Sequence, residues 1–177
     1  MNDNKRHYPT QTPGHGMAGM LDGVIIEPCN AYTTDTLAHL YDYWVGLQET
    51  YGRKHIRWSD VDLMDLYKIA PNLMVKDIID NGVEFQNRYW GTKLREFFGM
   101  DATGAMVADY YEGEHLEQVL TALRFFMEDN RAVRVAGKSR FFITREHVSV
   151  EACYIPLYDA QNVPSHLLVV FEFESLD

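Results

Sequence analysis

An arginine set between an amide and a phenol, Asn87-Arg88-Tyr89, is the run whose chemistry best suits a ligand. A guanidinium presents a fork of donors that matches a carboxylate on a small molecule or a partner. The competing reading pairs Arg88 with Asp77 at the surface, where an ion pair adds little stability. Asn87 and Tyr89 then carry polar groups toward the interior. A buried amide there needs partners, from a ligand, ordered water or the backbone. Phe97, Phe126 and Tyr154 are candidates to wall the same space, or are plain core.

Other chemistry is weaker. Gly137-Lys138-Ser139 copies the end of a phosphate-binding loop, but Ala132 stands where that motif needs glycine, and a strand is expected where it needs a helix. Asp60, Asp62 and Asp65 resemble the start of a calcium loop that lacks its glycine and closing glutamate. They serve better as charges at a helix start. Glu112-Gly113-Glu114-His115 could ligate a metal, but such groups are usually solvated helix starts, so no metal is expected. Haem would need an axial ligand on a helix facing a cavity, and His115 is the best placed. Photochemical flavin binding needs a cysteine on the helical side, whereas Cys29 lies in the N-terminal segment and Cys153 in a strand pattern. Neither haem nor flavin is expected, and the cysteines form neither a CxxC pair nor a disulfide framework. No Ser/His/Asp arrangement is legible.

The bulk properties narrow the class further. The chain has 177 residues, enough for one domain with a sizeable core. Its net charge of −10 and the absence of a basic block argue against nucleic acid and against an anionic membrane surface. No apolar run approaches the roughly 20 residues of a membrane span, and the polar N-terminus does not resemble a secretion signal. A cytoplasmic location is expected.

These residues need elements to position them. Residues 1–33 read as a mobile tail or arm, with Gly23-Val24-Ile25-Ile26 a possible strand. From Thr34 or Asp35 to Gly52, Leu37, Leu40, Tyr41, Trp44 and Leu47 fall at helical spacing. That stripe is expected to pack on a core or to form a homodimer face. A short helix follows from about Ser59 to Ile69 and closes at Pro71. Leu73–Ile79 reads as a strand that turns at Asn81-Gly82. A two-residue type I′ turn would pair Ile79 with Glu84, Asp77 with Gln86 and Val75 with Arg88. Met74, Ile78, Val83, Phe85 and Tyr89, with Lys76 and Asn87 among them, then face the interior. A two-turn helix at Thr92–Phe98, a longer one at His115–Met127, and strands near 132–144, 147–157 and 165–173 complete the order. This predicts an α+β domain: a five-stranded antiparallel sheet with helices on one face and an N-terminal helical extension. The extension is expected over residues 34–70 and the core over 71–177. Short helices laid across a sheet enclose a small ligand more readily than they build a catalytic centre.

That order resembles a PAS domain. The residues that carry the likeness are LYDYW (Leu40–Trp44), DVDLMDLYKIAPNLMVKDI (Asp60–Ile78), FQNRYWGTKLREFFGMDATG (Phe85–Gly104) and YIPLYD (Tyr154–Asp159). They are similar to a bacterial PAS family, common in alphaproteobacteria, that often stands alone behind a helical N-terminal extension. Trp44, Asp62, Pro71, Asp77, Arg88, Gly91, Thr92, Gly99, Thr103 and Gly104 sit where that family's features fall. Leu63-Met64 departs from it, since the family often has proline there.

The resemblance implies sensing or protein interaction and supplies no substrate. The expected function is a non-catalytic sensor or adaptor that binds a small molecule or a signalling partner and signals through association. No kinase, cyclase or DNA-binding segment is legible in the chain. Self-association through Leu37, Leu40, Tyr41 and Trp44 is the first candidate. The alternatives are a ligand-free interaction module and a small enzyme, the latter requiring two or more titratable groups converging in one cavity with at least one pKa shifted strongly.

Overall fold

The computed structural model describes residues 21–29, 34–139 and 148–175. Six strands, β1 (Leu21–Pro28), β2 (Leu73–Ile79), β3 (Glu84–Trp90), β4 (Val133–Ser139), β5 (Val148–Tyr158) and β6 (Pro164–Ser175), form one antiparallel sheet. Their spatial order is β1-β4-β5-β6-β2-β3. The sixth strand corrects the five-strand expectation. Residues 21–28, assigned to the tail, pair with β4 from Leu21↔Ser139 to Pro28↔Val133. The buried Arg134 guanidinium fastens this edge, bonding Glu27 on β1 and, at 2.7 Å, Glu151 on β5. Residues 1–20 and 30–33, and the expected run of β4 to Thr144, lie outside the described residues.

The core helices cover one face, as expected, and the N-terminal helical extension crosses the other. α2 (Thr92–Phe98) and α3 (Gly113–Met127) pack on one side with Phe85, Trp90, Leu120, Leu123 and Phe126. α1 (Asp35–Tyr51) crosses the other side. Thr34 caps it through Oγ1, which accepts from the Leu37 amide, and Gly52 ends it at φ 61°. Leu37, Leu40 and Trp44 are buried there against Ile155, Leu168 and Val170 of the same chain's sheet. That corrects the self-association stripe: α1's apolar side meets its own sheet, and only Tyr41 of the four is partly exposed. The helix expected from Ser59 to Ile69 is instead a series of 3-10 turns at Trp58–Asp60, Leu63–Leu66 and Ala70–Asn72. Asp60 and Asp62 act as caps in them, accepting from the Arg57 and Met64 amides.

The Asn81-Gly82 turn forms as expected, with φ 56° and ψ 35° at Asn81 and φ 90° at Gly82. Ile79 pairs with Glu84 and Asp77 with Gln86, but the register then shifts. Lys76 pairs with Asn87 and Val75 with Tyr89, so Arg88 is the extra residue of a β-bulge. The bulge reverses the alternation beyond it. Tyr89 joins the α1 side and Trp90 the α2–α3 side.

Just beyond the bulge, Gly91 passes tightly under the 3-10 turns. A Cβ there would lie 2.2 Å from the Pro71 carbonyl oxygen, and the Gly91 amide donates to Leu73 O at 2.9 Å. Only glycine permits that approach, and the approach aims α2 across the sheet.

Candidate functional site

Between the sheet and the α2–α3 layer lies a cavity of about 100 Å³. β2 contributes Met74 and Lys76, β3 Trp90, β5 Val150, Ala152 and Tyr154, and β6 Phe171 and Phe173. Val135 of β4, Phe98 of α2, Val119, Ala122, Leu123 and Phe126 of α3, and Tyr110 and Tyr111 from the preceding loop complete the wall. Strand alternation puts every second residue of β2 inside, and Lys76 falls on that phase with Met74 and Ile78. The wall is therefore apolar apart from one amine, three phenols and the Trp90 indole N–H.

Lys76 is 3% exposed. Its Nζ donates to Asn87 Oδ1 at 2.6 Å and to the Tyr110 hydroxyl oxygen at 3.2 Å. No ion pair joins it to a carboxylate among the described residues; Glu84, whose charge reaches it, accepts from the Phe85 and Ala108 amides. Loss of hydration disfavours the ammonium form and brings the Lys76 pKa down to about 7, with Glu84 opposing the shift. Burial acts the other way on the phenols. Tyr110 is pushed up to about 12, the Asn87 hydrogen bond restraining it, and Tyr111 and Tyr154 move further up for the same reason. At neutral pH the phenols stay protonated.

Asn87 is fully buried and finds all its partners within the chain. Nδ2 donates to Ala102 O at 3.0 Å and to the Tyr110 oxygen at 3.1 Å. Its backbone amide donates to Ala105 O, and its carbonyl accepts from the Gly104 amide. The amide thus ties β3 to the loop that brings Tyr110 over Lys76. The ligand or water anticipated for it is unnecessary, since the backbone supplies the partner.

Of the other residues singled out from the sequence, Phe126 and Tyr154 wall the cavity with rings stacked 4.0 Å apart. Phe97 packs one position off, stacked on Phe173 at 3.7 Å, and its neighbour Phe98 takes the lining position. Arg88 lies on the opposite face with Asp77, where it was expected, and Tyr89 joins it there, a correction that follows from the bulge. Tyr89 donates to Ala70 O. Arg88 forms the anticipated fork with Asp77, at 2.6 and 2.9 Å, while its side chain remains 48% exposed. His166 joins Asp77 at 3.2 Å and stacks on Trp58. Burial lowers the His166 pKa; Asp77 opposes that shift and Arg88 adds to it. His115, the haem candidate, is exposed at the start of α3 and does not line the cavity. No group of three metal-ligating side chains gathers among the described residues.

Lys76 faces the interior as its strand phase predicts, but it, Trp90 and Tyr110 are not among the candidate residues drawn from the sequence. The one available signal was a lysine at an inward phase of an apolar strand.

An antiparallel sheet with a small cavity under α2 and α3 defines an α+β domain. The PAS domain family model matches residues 32–171, and the chain belongs to that family. No curated protein matches it. Among solved structures, an RNA-binding light-oxygen-voltage receptor is similar over 60% of this chain at 14% identity and a TM-score of 0.41. This chain spans only 31% of that receptor's length. The PAS domain of an HTR-like protein from Haloarcula marismortui is 13% identical over 76% of this chain and 99% of its own, with a TM-score of 0.34. A sensory box histidine kinase/response regulator from Burkholderia thailandensis E264 is 12% identical over 64% and 86%, at 0.35. The family match alone carries the assignment. Among the described residues, no helix is long and apolar enough to cross a membrane.

Proposed function

We propose that this PAS domain is a sensory module that encloses a small molecule in the cavity between its sheet and α2–α3, and signals by changing its association with a partner protein. The carrying observation is Lys76, a buried amine without a carboxylate partner among the described residues, set in a cavity wall made largely of apolar and aromatic side chains. An arrangement that costs stability and packs nothing better is expected where a ligand uses it. Lys76 also sits on the strand that separates the two faces. Its neighbours Val75 and Asp77 belong to the α1 side, so a shift of β2 on ligand entry moves the Arg88–Asp77–His166 group outside.

Convergence of Lys76, its pKa lowered to about 7, with the phenols in one cavity meets the condition set for an enzyme. Phenols held protonated donate hydrogen bonds and do not serve as bases, and no carboxylate among the described residues joins the set. The chemistry favours holding a ligand over turning one over.

Native mass spectrometry of the purified protein, with an absorbance spectrum of the same sample, tests this reading. A retained small molecule, or a melting temperature raised by members of a metabolite panel, is the expected result. An apo mass combined with unchanged melting across the panel would overturn it in favour of a ligand-free interaction module.

A further inference from the structure

The polar part of the cavity wall is made of donors. In its ammonium form, which an anion beside it favours, Lys76 Nζ carries three N–H groups and spends two on Asn87 and Tyr110. The Tyr110 oxygen accepts from both Lys76 and Asn87, which occupies its two lone pairs and leaves its own O–H to donate elsewhere. Trp90, in the same wall, has a buried indole N–H without an acceptor among the described residues. Tyr154 lines the cavity as well, its hydroxyl held in the protonated form by burial. A cluster with spare donors and one cationic group is complementary to a group that only accepts and carries negative charge.

The rest of the wall sets the remainder of the ligand. Val119, Leu123, Phe126 and Phe171 offer only apolar surface, so a second charge would be buried without a counter-ion. A cavity of about 150 Å³ lined by apolar side chains holds benzene. A void of about 100 Å³ therefore suits an apolar body of about four to six carbons, given small adjustments of the wall.

Building on the ligand-sensing reading, we propose that the cavity takes a small monocarboxylate. Its carboxylate accepts from Lys76 Nζ and the Tyr110 hydroxyl, and its aliphatic or aromatic body lies between α3 and the sheet. Phosphates and dicarboxylates are disfavoured because one cation faces an apolar wall. The neutral analogue of an acceptable acid loses the charge-assisted bonds and brings a surplus N–H of its own.

The test is calorimetric titration with sodium hexanoate and sodium benzoate against hexanamide and benzamide, on the wild-type protein and on Lys76→Met and Lys76→Gln. Each acid is expected to bind the wild type at least tenfold more tightly than its amide. Both variants are expected to lose that margin while amide affinity changes less than threefold. Amides that bind as well as acids, or acids that bind the variants undiminished, would overturn the carboxylate assignment and leave the cavity as a site for neutral ligands. Failure of all four probes would overturn the assignment; if the metabolite panel also left melting unchanged, the sensing reading would fall with it.

Discussion

Replacing Lys76 with methionine should stabilise the ligand-free protein, by an amount that depends on pH in a calculable way. The Lys76 pKa falls from 10.5 to about 7 in the fold, and at 1.36 kcal/mol per unit the charged form costs about 5 kcal/mol. Methionine removes that cost with a side chain of similar length, but leaves Asn87 Oδ1 without its donor, a loss of about 1–3 kcal/mol. At pH 6 the net gain is about 2–4 kcal/mol, on the order of 5–15 °C in melting temperature for a chain of this size. The sign of the pH dependence follows from proton counting. Between about pH 7 and 10.5 the unfolded chain holds a proton that the folded chain has released, so wild-type stability rises with pH across that window. The variant lacks this term, and its advantage should shrink by roughly 3 kcal/mol between pH 6 and pH 9. Urea unfolding followed by tryptophan fluorescence at the two pH values measures both quantities. A variant less stable than wild type at pH 6, or an advantage that does not change with pH, would refute the claim that Lys76 is desolvated.

Four further outcomes are expected. Gly91→Ala drives a methyl group into the Pro71 carbonyl and should cost about 3 kcal/mol or more, seen as a lower midpoint in thermal denaturation by circular dichroism; an unchanged midpoint would mean that the turn yields freely. Leu40→Asp should unfold the chain and not release a soluble monomer, because Leu40 is fully buried against the chain's own sheet. A folded variant with altered oligomeric state, by light scattering, would restore the self-association reading. Because burial lowers the His166 pKa, the unfolded chain protonates first as pH falls through about 6.5, and stability is lost from there down toward the folded value. Urea midpoints at pH 7.5 and 5.5 should therefore fall more for wild type than for His166→Gln, and equal losses would discard this contribution. Finally, Cys29 and Cys153 are buried with their Sγ atoms 2.7 Å apart, and burial raises the Cys153 pKa. Iodoacetamide should label neither thiol in the native protein and both in urea; native labelling would reveal opening of β1.

Local signals in the chain predicted local structure well. Asn81-Gly82 demands left-handed backbone, and the spacing of Leu116, Val119, Leu120 and Leu123 admits a helix alone, so the hairpin and α3 form as expected. The bulge was not legible, because an extra residue in a strand leaves no mark on composition. That single residue moved Tyr89 to the far face and brought Trp90 to the cavity. β1 is short and its partner β4 lies more than a hundred residues away, a pairing that periodicity cannot reveal. The Leu37–Leu40–Trp44 stripe announced burial but not against what, since an apolar helix face reads the same under its own sheet or another chain. The cavity's polar cluster needs Tyr110, 34 residues from Lys76 and in a loop without pattern.

Where β1 sits has a practical consequence for anyone shortening this protein. The family match begins at residue 32, beyond β1, and stops at residue 171, before Phe173. A fragment cut to those limits would expose the β4 strand with Val133 and Val135 along a bare edge, and would strip Arg134 of Glu27. Unpaired apolar edges recruit strands from neighbouring molecules. Such a fragment should precipitate, while one that retains residue 21 onward through Ser175 keeps the edge closed.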